Sequence, residues 1–264
     1  MIENTSGKQM KNLISLIGKG KTRNEQGLFV AEGVRILSEA PLESIERIYV
    51  SESFIREYHK EEYYQRIRAV LDEKGWEVLS DKVFAQVTDT KTPQGIMAVL
   101  KMPVYDFSEQ INEACNVLFL DEVRDPGNLG TIIRTAEGAG FSMLVMSKGC
   151  VDIFNPKVVR STMGAVYRLP FVYVDSLSKT LSICKDMGFE IYAAHLDGTD
   201  DYAKIEYASK TGIIIGNEAN GICDEVKMEA TKLVRIPMEG KVESLNAAIA
   251  AAVLMYEVYR RKRL

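Results

Sequence analysis

Residues 117–141 read VLFLDEVRDPGNLGTIIRTAEGAGF, and this stretch decides the fold. Val117 to Leu120 are apolar without alternation, as in a strand buried on both faces. The next ten residues carry turn chemistry into a helix. Asp125 is a good N-cap, Pro126 suits the first helical position, and Gly127 and Gly130 allow close backbone approach. Five more apolar runs follow at 143–146, 171–174, 191–194, 212–215 and 233–236, each separated by a helical stretch. This alternation predicts an α/β fold, a mostly parallel sheet covered by helices. Ligands of such sheets bind beyond the carboxyl ends of the strands, so the loops after strands are the places to search.

Working back toward the N-terminus, the pattern changes near residue 105. Short strands are expected at 28–31, 45–51, 76–79 and 95–100, alternating with helical stretches such as the charged 57–74, enough for a small α/β domain. Residues 102–113, MPVYDFSEQINE, combine Pro, turn residues and no strong period. The expected organisation is a small domain at 1–103, a linker at 104–114 and the larger domain at 115–264.

Composition narrows the chemistry. The 264 residues are 46% hydrophobic and 27% charged, which argues against disordered, collagen-like and membrane classes. No apolar run approaches the roughly 18 residues of a membrane span, and the N-terminus lacks an apolar signal core, so a cytoplasmic protein is expected. The histidines are His59 and His195, and Cys115, Cys150, Cys184 and Cys223 lie at least 34 residues apart. No pair has zinc-ligand or redox spacing, so neither a metal site nor a disulfide framework is expected. The net charge is -4, yet residues 1–24 and the terminal 260–263 each carry +4, leaving -12 on the body. Two basic ends on an acidic body are either solvated arms or the grip for a polyanion.

Three loops carry candidate chemistry. The turn at 121–130 would present free helix amides to an anion such as a phosphate; alternatively it is a well-made turn, with Arg134 paired to Glu137 on the helix surface. Gly216-Asn217-Glu218-Ala219-Asn220-Gly221 follows the strand at 212–215, and Glu218 either caps the next helix or accepts hydrogen bonds from a ligand. No Lys-Ser/Thr follows the second glycine, so this is not a P-loop. Residues 237–246, PMEGKVESLN, precede an Ala-rich helix that suits ordinary helix packing or a tight subunit interface, with Ser244 as a plausible N-cap. Gly20-Lys21-Thr22 lacks a preceding strand, and Gly138-Ala139-Gly140 closes a helix, so neither is a nucleotide loop.

Taken together and in order, LDEVRDPGNLGTIIRTAEGAGF, IIIGNEANGI and VRIPMEGKVESLNAAIAAAV closely resemble the three motifs of the SpoU/TrmH family of RNA 2'-O-ribose methyltransferases, in the SPOUT superfamily. The resemblance covers roughly 115–260 and includes NPKVVRSTMGAVYRLP at 155–170. GLFVAEGVRILSEA and TKTPQGIMAVL in the first part resemble the ribosomal-protein-like RNA-binding domain that precedes many of these catalytic domains.

The resemblance implies a deep trefoil knot in the C-terminal part, S-adenosylmethionine bound in it, and a homodimer with the Ala-rich helix in the interface. Carried over residue by residue, the catalytic arginine is Arg134, supported by Asn128, Glu218, Ser244 and Asn246. The cofactor would meet Gly216, Asn217, Ile236, Met238, Ser244 and Leu245. The implied reaction is attack of a ribose 2'-oxygen on a sulfonium methyl, which requires no metal. Taking a proton from a guanidinium at pH 7 costs at least about 7 kcal/mol, so Arg134 is preferred as the group that binds the 3'-side phosphate and the developing alkoxide. Lys19, Lys21, Arg23, Arg124 and Arg260 are the expected RNA contacts. Ribosomal RNA is the first choice of substrate; transfer RNA, or a non-catalytic RNA-binding protein on the same fold, are the alternatives.

Overall fold

A computed structural model of the chain describes residues 1–57 and 62–263; His59 and residues 58–61 of the expected 57–74 helix lie outside them. The chain forms two compact units, one of residues 1–104 with 152–167, the other of 105–151 with 168–264.

In the first unit the elements are α1 (Lys8–Gly18), α2 (Gly20–Gln26), β1 (Leu28–Glu32), α3 (Val34–Ser38), β2 (Ile45–Ser51), α4 (Glu52–Glu57), α5 (Glu62–Lys74), β3 (Glu77–Leu79), α6 (Asp81–Val87) and β4 (Ile96–Lys101). The strands lie in the order β1-β4-β2-β3, with β4 antiparallel to both neighbours and β2 parallel to β3. Leu13 and Leu16 of α1 and Phe84 of α6 meet Tyr49 and Met97 in one core. Residues 152–167 return to this unit, and the ring of Phe154 lies 4.5 Å from that of Phe29.

The second unit continues with α7 (Phe107–Glu113), β5 (Asn116–Leu120), α8 (Pro126–Gly138) and β6 (Met143–Ser147). Helix α9 (Pro156–Thr162) belongs to the first unit. Then come β7 (Phe171–Val174), α10 (Leu177–Asp186), β8 (Glu190–Ala194), β9 (Asp200–Asp201), β10 (Thr211–Ile215), α11 (Asp224–Lys227), β11 (Lys232–Arg235) and α12 (Ala247–Arg261). Among the described residues seven strands form one sheet, β7-β6-β5-β10-β8-β11-β9, and every pairing in it is parallel. The apolar runs are thus buried strands: all five residues of β5 and of β10 are buried. β9 has no counterpart in the sequence expectations, because two aspartates carry neither length nor hydrophobicity. Within the expected linker, 107–113 is helical, and Ile111 is buried in the core with Phe119, Val145 and Ile214. Asp125 caps α8, its carboxylate accepting from the Asn128 N–H, and Pro126 opens the helix. Among the described residues no helix is long and apolar enough to cross a membrane.

Candidate active site

The carboxyl ends of β8, β10 and β11 open into a cavity of about 290 Å³. Its wall combines Ala194 to Leu196, Ile215 to Gly221, Val234 to Ile236, Met238 and Glu243 to Leu245, with Ala247 and Ala250 of α12 on one side. All six residues expected to meet the cofactor line it. Of the catalytic set, Glu218 and Ser244 do so, whereas Asn128, Asn246 and Arg134 do not.

The loop after β10 is held by its own polar groups. Asn217 and Gly221 exchange backbone hydrogen bonds of 2.9 Å, and the Asn217 Oδ1 accepts from the N–H groups of Ala219 and Asn220. Its Nδ2 donates to the Glu122 carbonyl at 2.8 Å, tying this loop to the one after β5. Gly216 is obligatory by space: a Cβ there would lie 2.3 Å from the Gly221 carbonyl carbon. The backbone can therefore fold against itself and present its own groups to a ligand.

A hydrogen-bonded chain joins the three motifs. Asn246 donates from Nδ2 to the Asn128 Oδ1 at 3.0 Å, and Asn128 donates from its own Nδ2 to Glu218 Oε1 at 3.0 Å. Glu218 also accepts from the backbone N–H groups of Asp125 at 3.0 Å and Arg124 at 3.2 Å. Burial works to raise the Glu218 carboxyl, but the hydrogen bonds from Asn128 and from the backbone of Glu218, Asp125 and Arg124 outweigh it and hold the carboxyl below its usual range. Asn246 is also the N-cap of α12, its Oδ1 accepting from Ala248 and Ile249. The cap expected at Ser244 is two residues further on, because the chain enters the helix only at Ala247.

Arg134 is exposed on α8 and has no partner among the described residues; Glu137 pairs instead with Arg168 at 2.7 Å. It lies six residues beyond Asn128, which puts it about 9 Å along the helix and roughly 240° around it. Its Cα therefore lies on a different face of α8 from that of Asn128.

The basic residues divide. Lys19 and Lys21 are exposed, Lys21 facing Glu25 at 3.8 Å, and Arg124 pairs with Glu122 at 2.6 Å. Arg23 departs from the expected RNA contact. Its side chain is 4% exposed, bonded through Nε and Nη2 to Asp152 and through Nη1 to the carbonyls of Leu16 and Ile17 at the end of α1. The C-terminal basic run is partly engaged within its own subunit, while the Arg260 side chain stays half exposed. Arg260 and Arg261 both bind the buried Glu257, and Lys262 bonds Asn116 at the start of β5 and the Ser209 carbonyl ahead of β10. Those are the amino ends of parallel strands, opposite the cavity within the same subunit.

His195 and Leu196 were missing from the sequence expectations although they follow β8, as the loop rule requires; neither stands in one of the three recognisable motifs. Glu243 also lines the cavity, although its residue type and spacing carry no signal of a ligand contact. Among the described residues no group of three or more His, Cys, Asp or Glu side chains is placed to hold a metal ion.

The donor set fits S-adenosylmethionine. Ile215, Ile236, Met238 and Leu245 supply apolar wall for an adenine ring, and the backbone of 216–221 with Asn217, Asn220 and Ser244 supplies polar partners. A parallel-sheet domain with this cavity behind three motif loops defines an S-adenosylmethionine-dependent RNA methyltransferase. The chain belongs to the SpoU rRNA Methylase family, whose model matches residues 116–256, and residues 7–98 match an MRM3-like substrate binding domain. It is 40% identical over 188 residues to the 23S rRNA (guanosine(2553)-2'-O)-methyltransferase RlmP of Bacillus subtilis, covering 69% of this chain and 71% of that protein. A putative TrmH-family RNA methyltransferase from Porphyromonas gingivalis superposes with TM-score 0.79 at 31% identity, over 97% of this chain and 98% of the other. The AdoMet-bound rRNA methyltransferase from Sinorhizobium meliloti superposes with TM-score 0.82 at 28% identity, over 100% and 98% of the two chains.

Proposed function

We propose that the protein methylates a ribose of ribosomal RNA and works as a cytoplasmic homodimer. The reaction is S-adenosylmethionine-dependent 2'-O-ribose methylation of RNA. The observation that carries it is the cavity beyond β8, β10 and β11, walled by two of the motif loops and tied to the third by Asn246, Asn128 and Glu218. Ribosomal RNA is favoured by the relative that acts on 23S rRNA and by the substrate-binding match at 7–98. A trefoil knot formed by the loops around the cavity belongs to the same proposal.

Bound in the cavity, S-adenosylmethionine supplies an electrophilic methyl group for a ribose 2'-oxygen. Gly216, Asn217, Ile236, Met238, Ser244 and Leu245 would hold it. Glu218, Asn128 and Asn246 keep the three loops in register, so that the nucleotide and the methyl group meet in one orientation. Arg134 neutralises the 3'-side phosphate and the charge that grows on the 2'-oxygen as its proton passes to water, where a permanent positive charge is most effective. Because it does not line the cavity of its own subunit, Arg134 serves that of a second subunit. Exposed Ile249 and Tyr256, seven residues apart on one face of α12, and the small Ala252 between them suit such an interface.

The test is transfer of labelled methyl groups to ribosomal and transfer RNA from cells lacking the gene, followed by mapping of 2'-O-methyl positions. A signal in ribosomal RNA supports the proposal; a signal confined to transfer RNA overturns the substrate, and none in either overturns the activity. Mixing Arg134→Ala subunits with Met238→Arg subunits should restore transfer if Arg134 acts across the dimer.

A further inference from the structure

His195 stands at the carboxyl end of β8 in the cavity wall and has no counterpart among the motif residues. Its side chain is 20% exposed. The turn that carries it is braced by backbone hydrogen bonds: the His195 N–H bonds the Val234 carbonyl at 3.0 Å, and the Gly198 N–H bonds the His195 carbonyl at 3.1 Å. A Cβ on residue 198 would lie 2.7 Å from the Val234 carbonyl carbon, so glycine lets this turn press against β11. Within the turn the Asp197 N–H donates to His195 Nδ1 at 3.1 Å. An Nδ1 that accepts a hydrogen bond carries no proton, which leaves the proton of the neutral ring on Nε2. That donor has no partner among the described residues. The nearest carboxylate, Asp197 Oδ2, is 3.4 Å away on the Nδ1 side.

We propose that His195 Nε2–H is a fixed hydrogen-bond donor to the nucleoside half of S-adenosylmethionine. The wall beside it, with Ala194, Leu196, Ile215 and Val234, is apolar and suits a base and ribose, whereas the carboxylates of Glu218 and Glu243 belong to the other two loops. The assignment rests on the cavity being the cofactor site.

Calorimetry at pH 8 tests it, with S-adenosylhomocysteine and 5'-methylthioadenosine as ligands. His195→Ala should weaken both by about tenfold, the worth of one hydrogen bond in a partly buried site. His195→Gln, which keeps a donor, should recover most of the loss at an unchanged melting temperature. In protein labelled with 15N-histidine, the His195 Nε2 signal, assigned with a His59→Gln variant, should shift when S-adenosylhomocysteine is added. Unchanged affinity in His195→Ala, an unmoved Nε2 signal, or a loss confined to S-adenosylhomocysteine would overturn the proposal. Failure of the wild-type protein to bind either ligand would instead overturn the cofactor site itself.

Discussion

Arg23 carries its charge inward. With Asp152 on one edge and two helix carbonyls on the other, the guanidinium closes the end of α1 and joins it to the segment that returns at residue 152. Removing one partner of a buried pair leaves the other charge uncompensated, so Arg23→Ala should destabilise the protein by about 3 kcal/mol in urea unfolding. The salt dependence of RNA affinity should stay as in the wild type, whereas Lys19→Ala, an exposed site, should flatten its slope by roughly 0.7–0.9. Arg134 is the opposite case, an exposed guanidinium with no partner among the described residues. Arg134→Ala should abolish methyl transfer and leave cofactor affinity within about twofold by calorimetry; undiminished turnover would remove this residue from the mechanism.

At the scale of elements, the question is how three loops and a helix are kept in register. Asn246 acts twice, through Oδ1 as the cap of α12 and through Nδ2 as the donor to Asn128. Asn246→Ala loses both and should cost about 1 kcal/mol together with most of the activity. Asn246→Asp keeps the capping oxygen but sets a carboxylate against Asn128 Oδ1, so it should retain the melting temperature and still lose activity. Glu218 links this chain to the loop after β5. Its carboxyl is held below its usual range in the folded protein, so its contribution to stability is complete above the unfolded value near 4.5 and is lost as pH falls through the lowered native value. The difference in melting temperature between wild type and Glu218→Gln should therefore be largest near neutral pH and shrink as the pH falls below the unfolded value. A constant difference as the pH falls would mean that the carboxylate's charge does not stabilise these loops.

For the whole molecule, Ile249 and Tyr256 are half exposed on the face of α12 that also carries small residues. Burying that face in a dimer removes apolar area from water, and a charge placed there would have to be desolvated without a partner. Ile249→Asp should accordingly sediment as a monomer and lose methyl transfer, while its circular dichroism stays native. A dimeric, active Ile249→Asp variant would put the interface elsewhere.

How much of this was legible in the sequence follows from range. The runs 117–120, 143–146 and 212–215 became buried strands because consecutive apolar residues can satisfy only a position covered on both faces. The cap at Asp125 and the proline after it were legible because capping is decided within three residues. β9 was not, since Asp200 and Asp201 pair only because β11 offers an open edge. Nor could Ser244 and Asn246 be told apart as caps by residue type alone.

The parallel sheet, the three motif loops and the family of reaction are readable from the amino-acid order, because hydrophobic pattern, turn chemistry and motif order are all local in the chain. The tertiary structure alone decided which charges are free. Arg23 looks like Lys19 in a list of basic residues, yet Asp152, 129 residues away along the chain, claims it. It also decided that His195 lines the cavity and that Arg134 does not. Hydrogen bonds act over about 3 Å of space with no regard for sequence separation, so which groups they occupy is fixed only when the chain has folded.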